Sequence, residues 1–396
     1  MFKGKKVVLG VCGGIAAYKA IELLRLMVKA GADVSVVMTA SAREFVTPLT
    51  FQTLSSNPVH SDLFDLYQEK EIGHISLADG ADLFVIAPAT ANVIGKIAGG
   101  IADDLLTTTV MATRAPVLFA PAMNVHMYEN PIYRRNEKSL RELGYHFIDP
   151  AFGALACGYE GQGKLPDPEA IFAAAQGVLA PQDLVGQKIL VTAGPTREEL
   201  DPVRYLSNYS SGKMGYAIAR AAVQRGAEVV LVSGPTFLSA PAGVDLVPVV
   251  SAEQMRACVL SALPSATAVV KAAAVADYRP LNIAEQKIKK NDAELTISLE
   301  KTPDILAEVG EKKQGQVVVG FAAETENLLQ HASDKLKRKK LDLIVANDIT
   351  QNGAGFDVDT NIVKLLHADG RVEELPQLSK DEVAHQLLDR VVELLP

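Results

Sequence analysis

The sequence is poor in cysteine, in long apolar runs and in surplus positive charge, and each shortage removes a class of function. Three cysteines in 396 residues, Cys12, Cys157 and Cys258, are too few for a disulfide framework. No CxxC pair or Cys/His cluster occurs, so a zinc site is excluded and any cysteine chemistry must come from a lone thiol. No apolar stretch approaches the ~20 residues that span a bilayer. Met1–Lys6 lead straight into Val7–Gly14 with no cleavage site, which points to the cytoplasm and not to export. The formal net charge of −8 argues against broad nucleic-acid binding, because a phosphate backbone attracts basic surfaces. Local basic pockets for small phosphorylated ligands stay open.

What is there is a globular composition, 48% hydrophobic and 22% charged, in a chain too long for one ordinary core. A repeated opening divides it. Lys5–Val11 reads as a buried parallel strand, followed by Gly13-Gly14, a helix over Ala16–Ala30, the turn Gly31-Ala32 and a strand Val34–Met38. The order recurs as strand Lys188–Thr192, helix Gly212–Arg225, turn Gly226-Ala227 and strand Glu228–Val232. Continuous apolar strands alternating with helices predict parallel sheets covered on both faces, hence two doubly wound α/β domains. The boundary is expected within Gln176–Gln187, with domains spanning residues 1–180 and 186–396. Further strands are predicted at Asp82–Ala87, Val117–Ala120, Ala268–Ala274, Val317–Phe321 and Leu343–Ala346. Ligands in such sheets sit at the carboxyl ends of strands, so the loops Pro88–Asn92 and Pro121–Asn124 are candidate ligand loops by position.

The first turn, GVCGGIAAYK, frees backbone amides at a helix start to meet an anion, but it is not GxGxxG. The second strand ends in Thr39, Ala40 and Ser41 and not in an acid that could bind a ribose hydroxyl, which favours a phosphate monoester such as flavin mononucleotide. His74 stands before a short predicted helix, Ile75–Gly80. Asn124 follows a strand, where asparagine usually caps or turns. Cys157 lies in Gly153–Gly163, which reads as a mobile flap where a thiol can act as an acid, whereas Cys12 and Cys258 read as core packing. In the second half a long loop, Gly194–Ser211, ends in Asn208, Ser210, Ser211, Gly212 and Lys213, a cradle for phosphate or carboxylate or simply an N-cap by Ser211. KIKK, Lys287–Lys290, reads as a solvated basic run, and Lys335 and Lys339 lie one helical turn apart.

Taken in order, these motifs resemble the bacterial bifunctional phosphopantothenoylcysteine decarboxylase / phosphopantothenate–cysteine ligase family of coenzyme A biosynthesis. GGIAAYK, His74, APATANVIGKIAGGIADDLL, PAMNVHMY and ACGYEGQG match its flavin domain. TAGPTREELDPVRYLSNYSSGKMG, AAAVADYRP, KIKK, TPDI, VGFAAET and LDLIVAND match its ligase domain. The resemblance covers essentially the whole chain and implies two Rossmann-like domains, the first flavodoxin-like, assembled as a homo-oligomer, a dodecamer, with flavin sites between subunits. It implies an FMN site at Gly13, Gly14, Ile15, Thr39, Ser41, Pro88, Ala89, Thr90, Asn92 and Met123. His74 would be the decarboxylase base, Asn124 would hold the substrate carboxylate and Cys157 would donate a proton. On the ligase side it implies CTP binding by Asp277, Lys287, Pro303, Asp304, Ile305, Leu306, Phe321, Lys335 and Lys339. Asn208 and Lys287 would handle an acyl-cytidylate, with Mg²⁺ neutralising the triphosphate.

The implied substrates are 4'-phosphopantothenate, cysteine and CTP, with no nucleic acid and no membrane as partners. The ligase activates the carboxylate as an acyl-cytidylate, and cysteine's amine displaces CMP. The decarboxylase uses its flavin to oxidise that product to a thioaldehyde, which loses CO₂ to leave an enethiol that the reduced flavin and a proton convert to 4'-phosphopantetheine. Two departures stand out: Gly163-Lys164-Leu165-Pro166-Asp167 where the family commonly reads GRMAEP, and Tyr209 where histidine is common. Lysine lacks arginine's planar fork, which weakens the expected substrate clamp. Rival readings fit less well. A peptidyl-cysteine decarboxylase or a prenyl-transferring flavoprotein leaves the second domain unexplained. A non-catalytic flavoprotein could lack the thiol, so Cys157 together with His74 weighs against it, and an NAD-dependent dehydrogenase calls for an acid that is absent.

Overall fold

The structure, a computed structural model, describes residues 1–64, 73–154, 158–289, 295–324, 328–348, 355 and 358–396. It separates into two compact units, Met1–Ala180 and Pro181–Pro396. No helix among the described residues is long and apolar enough to cross a membrane.

In the first unit, β1 (Lys6–Val11), β2 (Asp33–Met38), β3 (Val59–His60), β4 (Leu83–Ala89), β5 (Val117–Pro121) and β6 (His146–Phe147) form one parallel sheet in the order 3-2-1-4-5-6. Setting aside the two-residue edge strand β3, the other five follow 2-1-3-4-5 when counted among themselves, the flavodoxin order. Its helices are α1 (Lys19–Lys29), α2 (Pro48–Ser55), α3 (Gly73–Gly80), α4 (Ala91–Ala98), α5 (Leu105–Ala112), α6 (Val125–Glu129), α7 (Pro131–Glu142) and α8 (Pro168–Leu179). Alternation along the strands supplies both faces. Val7, Leu9, Val11, Leu83, Val85 and Ala87 pack with α1, α2 and α8, while Val8, Phe84 and Ile86 pack with α4, α5 and α7. In α1 the residues Ala20, Leu23, Leu24 and Met27 recur at helical spacing and are all buried, so one stripe fixes the helix on the sheet.

Two local expectations change. The helix expected over Ala16–Ala30 is a 3₁₀ turn, Ile15–Tyr18, followed by α1. The expected flap is an antiparallel hairpin of β7 (Ala151–Ala154) and β8 (Glu160–Lys164), with Cys157 outside the described residues.

The second unit repeats the plan. Its strands are β9 (Lys188–Ala193), β10 (Arg197–Asp201), β11 (Arg204–Ser207), β12 (Glu228–Ser233), β13 (Val244–Pro248), β14 (Ala268–Lys271), β15 (Tyr278–Pro280), β16 (Leu299–Lys301), β17 (Val317–Glu324), β18 (Leu343–Asp348), β19 (Thr360–Asn361), β20 (Val363–His367), β21 (Val372–Glu374) and β22 (Leu378–Ser379). The main sheet runs β13-β12-β9-β14-β17-β18-β20-β21, parallel as far as β18 and antiparallel beyond it. Helices α9 (Lys213–Gln224) and α13 (Lys380–Leu394) cover one face. Helices α10 (Ala252–Ala262), α11 (Ile305–Lys312) and α12 (Leu328–Arg338) cover the other.

The loop expected at Gly194–Ser211 contains the hairpin β10–β11. The N-cap of α9 is Gly212 and not Ser211; its φ of 77° favours glycine, and its amide donates to Ser210 Oγ at 3.4 Å. At the other end of α9, Arg225 is 1% exposed and bonds Asp183 at 2.6 Å and Asp389 at 2.7 Å, tying three segments together.

Candidate functional site

Each sheet reverses its winding between two neighbouring strands, and each reversal opens a crevice at the strand tips. In the first unit the reversal lies between β1 and β4, whose following helices cover opposite faces. A cleft of about 880 Å³ opens there, a volume within the range of small-molecule sites. Gly13, Gly14 and Ile15 line it from the end of β1, Thr39 and Ser41 from β2, Pro88, Thr90 and Asn92 from β4, and Met123 and Asn124 from β5. Ala89, fully buried in β4, is the one expected flavin-site residue outside the lining.

Local geometry explains these placements. A Cβ on Gly13 would lie 2.3 Å from Ser41 Cβ, so only glycine lets the tips of β1 and β2 close together. Thr90 caps α4 by accepting the Val93 amide at 3.4 Å. Asn124 caps α6 through Oδ1, which accepts the His126 amide at 2.8 Å. Lys96 also lines the cleft and bonds Asp103 at 2.6 Å and Asp104 at 3.2 Å. Hydrogen bonding to Asp103, and then to Asp104, raises the Lys96 ammonium above its ordinary value despite desolvation. Lys19 pairs with Asp167 at 3.2 Å. Burial pushes the Cys12 thiol up to about 12, so it is packing and not a reagent.

The walls are apolar (Ile15, Pro88, Ala122, Met123, Met127 and Leu165), with hydroxyls and a helix start at the strand tips. That combination fits a planar, largely uncharged ring system carrying one phosphate. His74 occupies the first turn of α3, inside the helix and not before it, and is not in the lining.

In the second unit the reversal lies between β9 and β14, and a cleft of about 800 Å³ opens there. Asn208, Asp277, Pro303, Asp304, Ile305, Leu306, Phe321, Lys335 and Lys339 all line it. Asn208 Nδ2 donates to the Val275 carbonyl at 3.0 Å, and Lys335 Nζ donates to the Phe321 carbonyl at 2.7 Å. Lys339 bonds Asp304 at 2.8 Å. Burial works to raise the Asp304 carboxyl, but Lys339 and the Ala307 amide outweigh it and hold it below the usual range. Lys287 is exposed and is not brought to this cleft; its neighbour Ile288 is held to the β10–β11 hairpin through Asp201 at 3.1 Å.

Four further lysines, Lys213, Lys271, Lys301 and Lys380, line the cleft. Of these the sequence pointed only to Lys213, in the cradle at the start of α9. Among the described residues no group of three His, Cys, Asp or Glu side chains could hold a metal ion.

A family model described as DNA/pantothenate metabolism flavoprotein C-terminal domain matches residues 184–395, and one described as Flavoprotein matches residues 1–180. A coenzyme A biosynthesis bifunctional protein of Bacillus subtilis is 52% identical, covering 100% of this chain and 98% of its own length. Its counterpart in Vibrio cholerae is 48% identical over 98% of both. A crystal structure of the C-terminal domain of such a protein is 46% identical, with a TM-score of 0.47, covering 54% of this chain and 97% of that one.

Proposed function

The chain belongs to the family of coenzyme A biosynthesis bifunctional proteins, and from that premise we propose how its two clefts divide the work. The second cleft ligates 4'-phosphopantothenate to cysteine at the expense of CTP, and the first decarboxylates the product with FMN. The observation that carries this reading is the pair of switch-point clefts, one with largely apolar walls and the other lined by six lysines.

In the ligase cleft the lysines draw in a triphosphate and offset the charge that grows as a carboxylate attacks its α-phosphorus. Asp277, Phe321 and the Pro303–Leu306 turn enclose the nucleotide, and Asn208, fixed on the Val275 carbonyl, orients the acyl-cytidylate. In the decarboxylase cleft, FMN when bound would accept a hydride from the carbon bearing sulfur and later return it, creating the electron sink that loss of the carboxylate requires. Gly13, Gly14 and the strand-tip hydroxyls hold the phosphate end. Asn124 holds the substrate carboxylate at the start of α6, the β7–β8 hairpin excludes water, and Cys157 supplies the proton. His74, the assigned base, and Lys287, assigned to the acyl-cytidylate, lie outside the clefts of their own units. Both roles therefore rest on subunit pairing in a cytoplasmic homo-oligomer, a dodecamer by resemblance.

The test is to give the purified protein 4'-phosphopantothenate, cysteine, magnesium and CTP and to look for 4'-phosphopantetheine and CO₂. Cys157→Ser should abolish CO₂ release while ligation continues, and Lys287→Gln should impair ligation while preformed substrate is still decarboxylated. A colourless protein that takes up no flavin would overturn the first assignment. Equal turnover with ATP and CTP would overturn the second.

A further inference from the structure

We propose that Lys271 is a phosphate-binding residue of the second cleft, where it completes with Lys335 and Lys339 a three-ammonium seat for the polyphosphate chain of the incoming nucleotide. The inference rests on the proposed ligase reading and adds a residue to it. Lys271 is the last residue of β14, the strand beside the point where the winding of the sheet reverses. Its backbone is pinned on both sides, to Thr192 of β9 and Gly320 of β17, so a rigid central strand aims its side chain into the cleft.

The three lysines differ in what they already hold. Lys335 donates to the Phe321 carbonyl at 2.7 Å, and Lys339 pairs with Asp304 at 2.8 Å. Lys271, mostly withdrawn from water, makes no hydrogen bond or ion pair with any described residue. A mostly buried ammonium with no partner among the described residues, facing two other cations, is a poor arrangement unless an anion arrives to complete it.

The charges around it set what arrival does. Lys335 faces it from α12 and Lys339 from just beyond the end of that helix, Asp304 from the cap of α11, and Asp277 from the segment leading into β15. Burial, and then repulsion from Lys335 and Lys339, pulls the Lys271 ammonium down to about 8, with Asp304 and Asp277 opposing. Near that pH about half the empty clefts have lost this proton. A bound polyphosphate restores the ordinary preference for the charged form, so binding must take a proton from solution. Well below that pH the site is already charged and binding takes up none.

The experiment is titration calorimetry on the full-length protein with CTP and, separately, with inorganic triphosphate. Each is measured near pH 8 and near about pH 6, in two buffers of different ionisation enthalpy. Wild type should take up about half a proton per site near pH 8 and almost none at the lower pH. Lys271→Met should weaken both ligands by about tenfold to a hundredfold, the loss of one charge-assisted bond, and abolish the uptake. Lys271→Arg, which keeps its charge at every pH used, should hold affinity within about threefold yet lose the uptake. A purely structural lysine would not separate these two readouts.

Unchanged proton uptake in Lys271→Arg, or wild-type triphosphate affinity in Lys271→Met, overturns the inference. If CTP binds and turns over normally without Lys271, the inference falls and the ligase reading stands. If triphosphate binds through Lys271 but CTP supports no ligation, the seat stands and the ligase reading falls.

Discussion

Gly163→Ala should disable decarboxylation and leave ligation intact. Gly163 is the extra residue of a bulge in β8: Phe152 pairs with Gln162 and Ala151 with Lys164, leaving Gly163 between them unmatched. Its φ is 153°, and an added Cβ would sit 2.3 Å from the Met123 carbonyl oxygen. Overpacking of that kind costs ~1–3 kcal/mol, and an L-residue held at positive φ adds ~1–2 kcal/mol. Against this stands the hydrogen bond from the Met123 amide to the Gly163 carbonyl at 3.0 Å, worth ~0.5–1.5 kcal/mol. Strain exceeds the tie, so the hairpin should lift from the Met123–Asn124 loop while the sheet beneath it survives. A displacement of about 1 Å beside reacting groups lowers a rate by about a hundredfold. Gly153→Ala is the control, because Gly153 has a φ of 154° but its nearest neighbour is 3.9 Å away, so it carries the torsional cost without the clash. CO₂ release from preformed 4'-phosphopantothenoylcysteine and pyrophosphate release in ligation are measured on the same preparations. Full decarboxylation by Gly163→Ala, equal loss of both activities, or an equal effect of Gly153→Ala would refute the reasoning.

Arg225→Met should destabilise the second unit by ~2–4 kcal/mol, since it strands two carboxylates around a buried position. Asp183 and Asp389 are 33% and 40% exposed, so water recovers part of the loss, and an unchanged urea midpoint would contradict the clamp. The same pair fixes a pH dependence: hydrogen bonding to Arg225 holds the Asp183 carboxyl below its ordinary value. Its contribution is therefore complete above the ordinary carboxylate range and is lost as pH falls through the lower folded value. Unfolding midpoints of wild type should drop there more steeply than those of Arg225→Met. Cys12, its thiol pushed up to about 12 by burial, should resist alkylation at about pH 8 until the chain is denatured, and rapid labelling of Cys12 in the folded protein would show that the burial is wrong.

How much of this was readable beforehand follows from which signals are local. The parallel strands declare themselves as unbroken apolar runs because helices cover both faces; KVVLGV and LFVIAPA place β1 and β4 to within one or two residues. The hairpins do not. β10 and β11 read REELD and RYLS, with no apolar alternation, and are held by polar contacts: Asp201 accepts the Val203 amide at 2.9 Å, and Arg197 lies 4.5 Å over the Tyr205 ring. Ser211, offered as the cap of α9 in one of two readings, has the usual cap chemistry, whereas the turn takes a left-handed residue, which the adjacent Gly212 supplies. Cleft residues at strand tips were legible by position. His74 and Lys287 were legible only as motif members, and their distance from the clefts depends on contacts that no local pattern encodes. Lys271 was hidden for the opposite reason: the expected strand, Ala268–Ala274, runs through it, whereas β14 ends at Lys271 and so delivers its side chain to the strand tips.

The two units show that position and chemistry are set by different parts of the sequence. Both place a crevice between the first strand and the fourth, because both wind outward from the first strand in opposite senses. Composition at the tips then decides what enters. The first cleft has three lysines, of which Lys19 is tied to Asp167 and Lys96 to Asp103 and Asp104, and its walls are otherwise largely apolar. The second gathers Lys213, Lys271, Lys301, Lys335, Lys339 and Lys380; among the described residues Asp277 and Asp304 are the acids of its lining, and Asp359 pairs with Lys213 at 2.8 Å from outside it. Such an excess is self-repulsive in the folded protein, and at Lys271 repulsion from Lys335 and Lys339 adds to burial in lowering the ammonium. A surplus of that size is retained at a cost to stability, which makes sense only where a polyanion regularly relieves it. Substituting Lys271 or Lys335 by methionine should therefore raise the melting temperature of the ligand-free protein even as nucleotide binding weakens. A fall in both would mean the lysines are structural and the charge argument is mistaken.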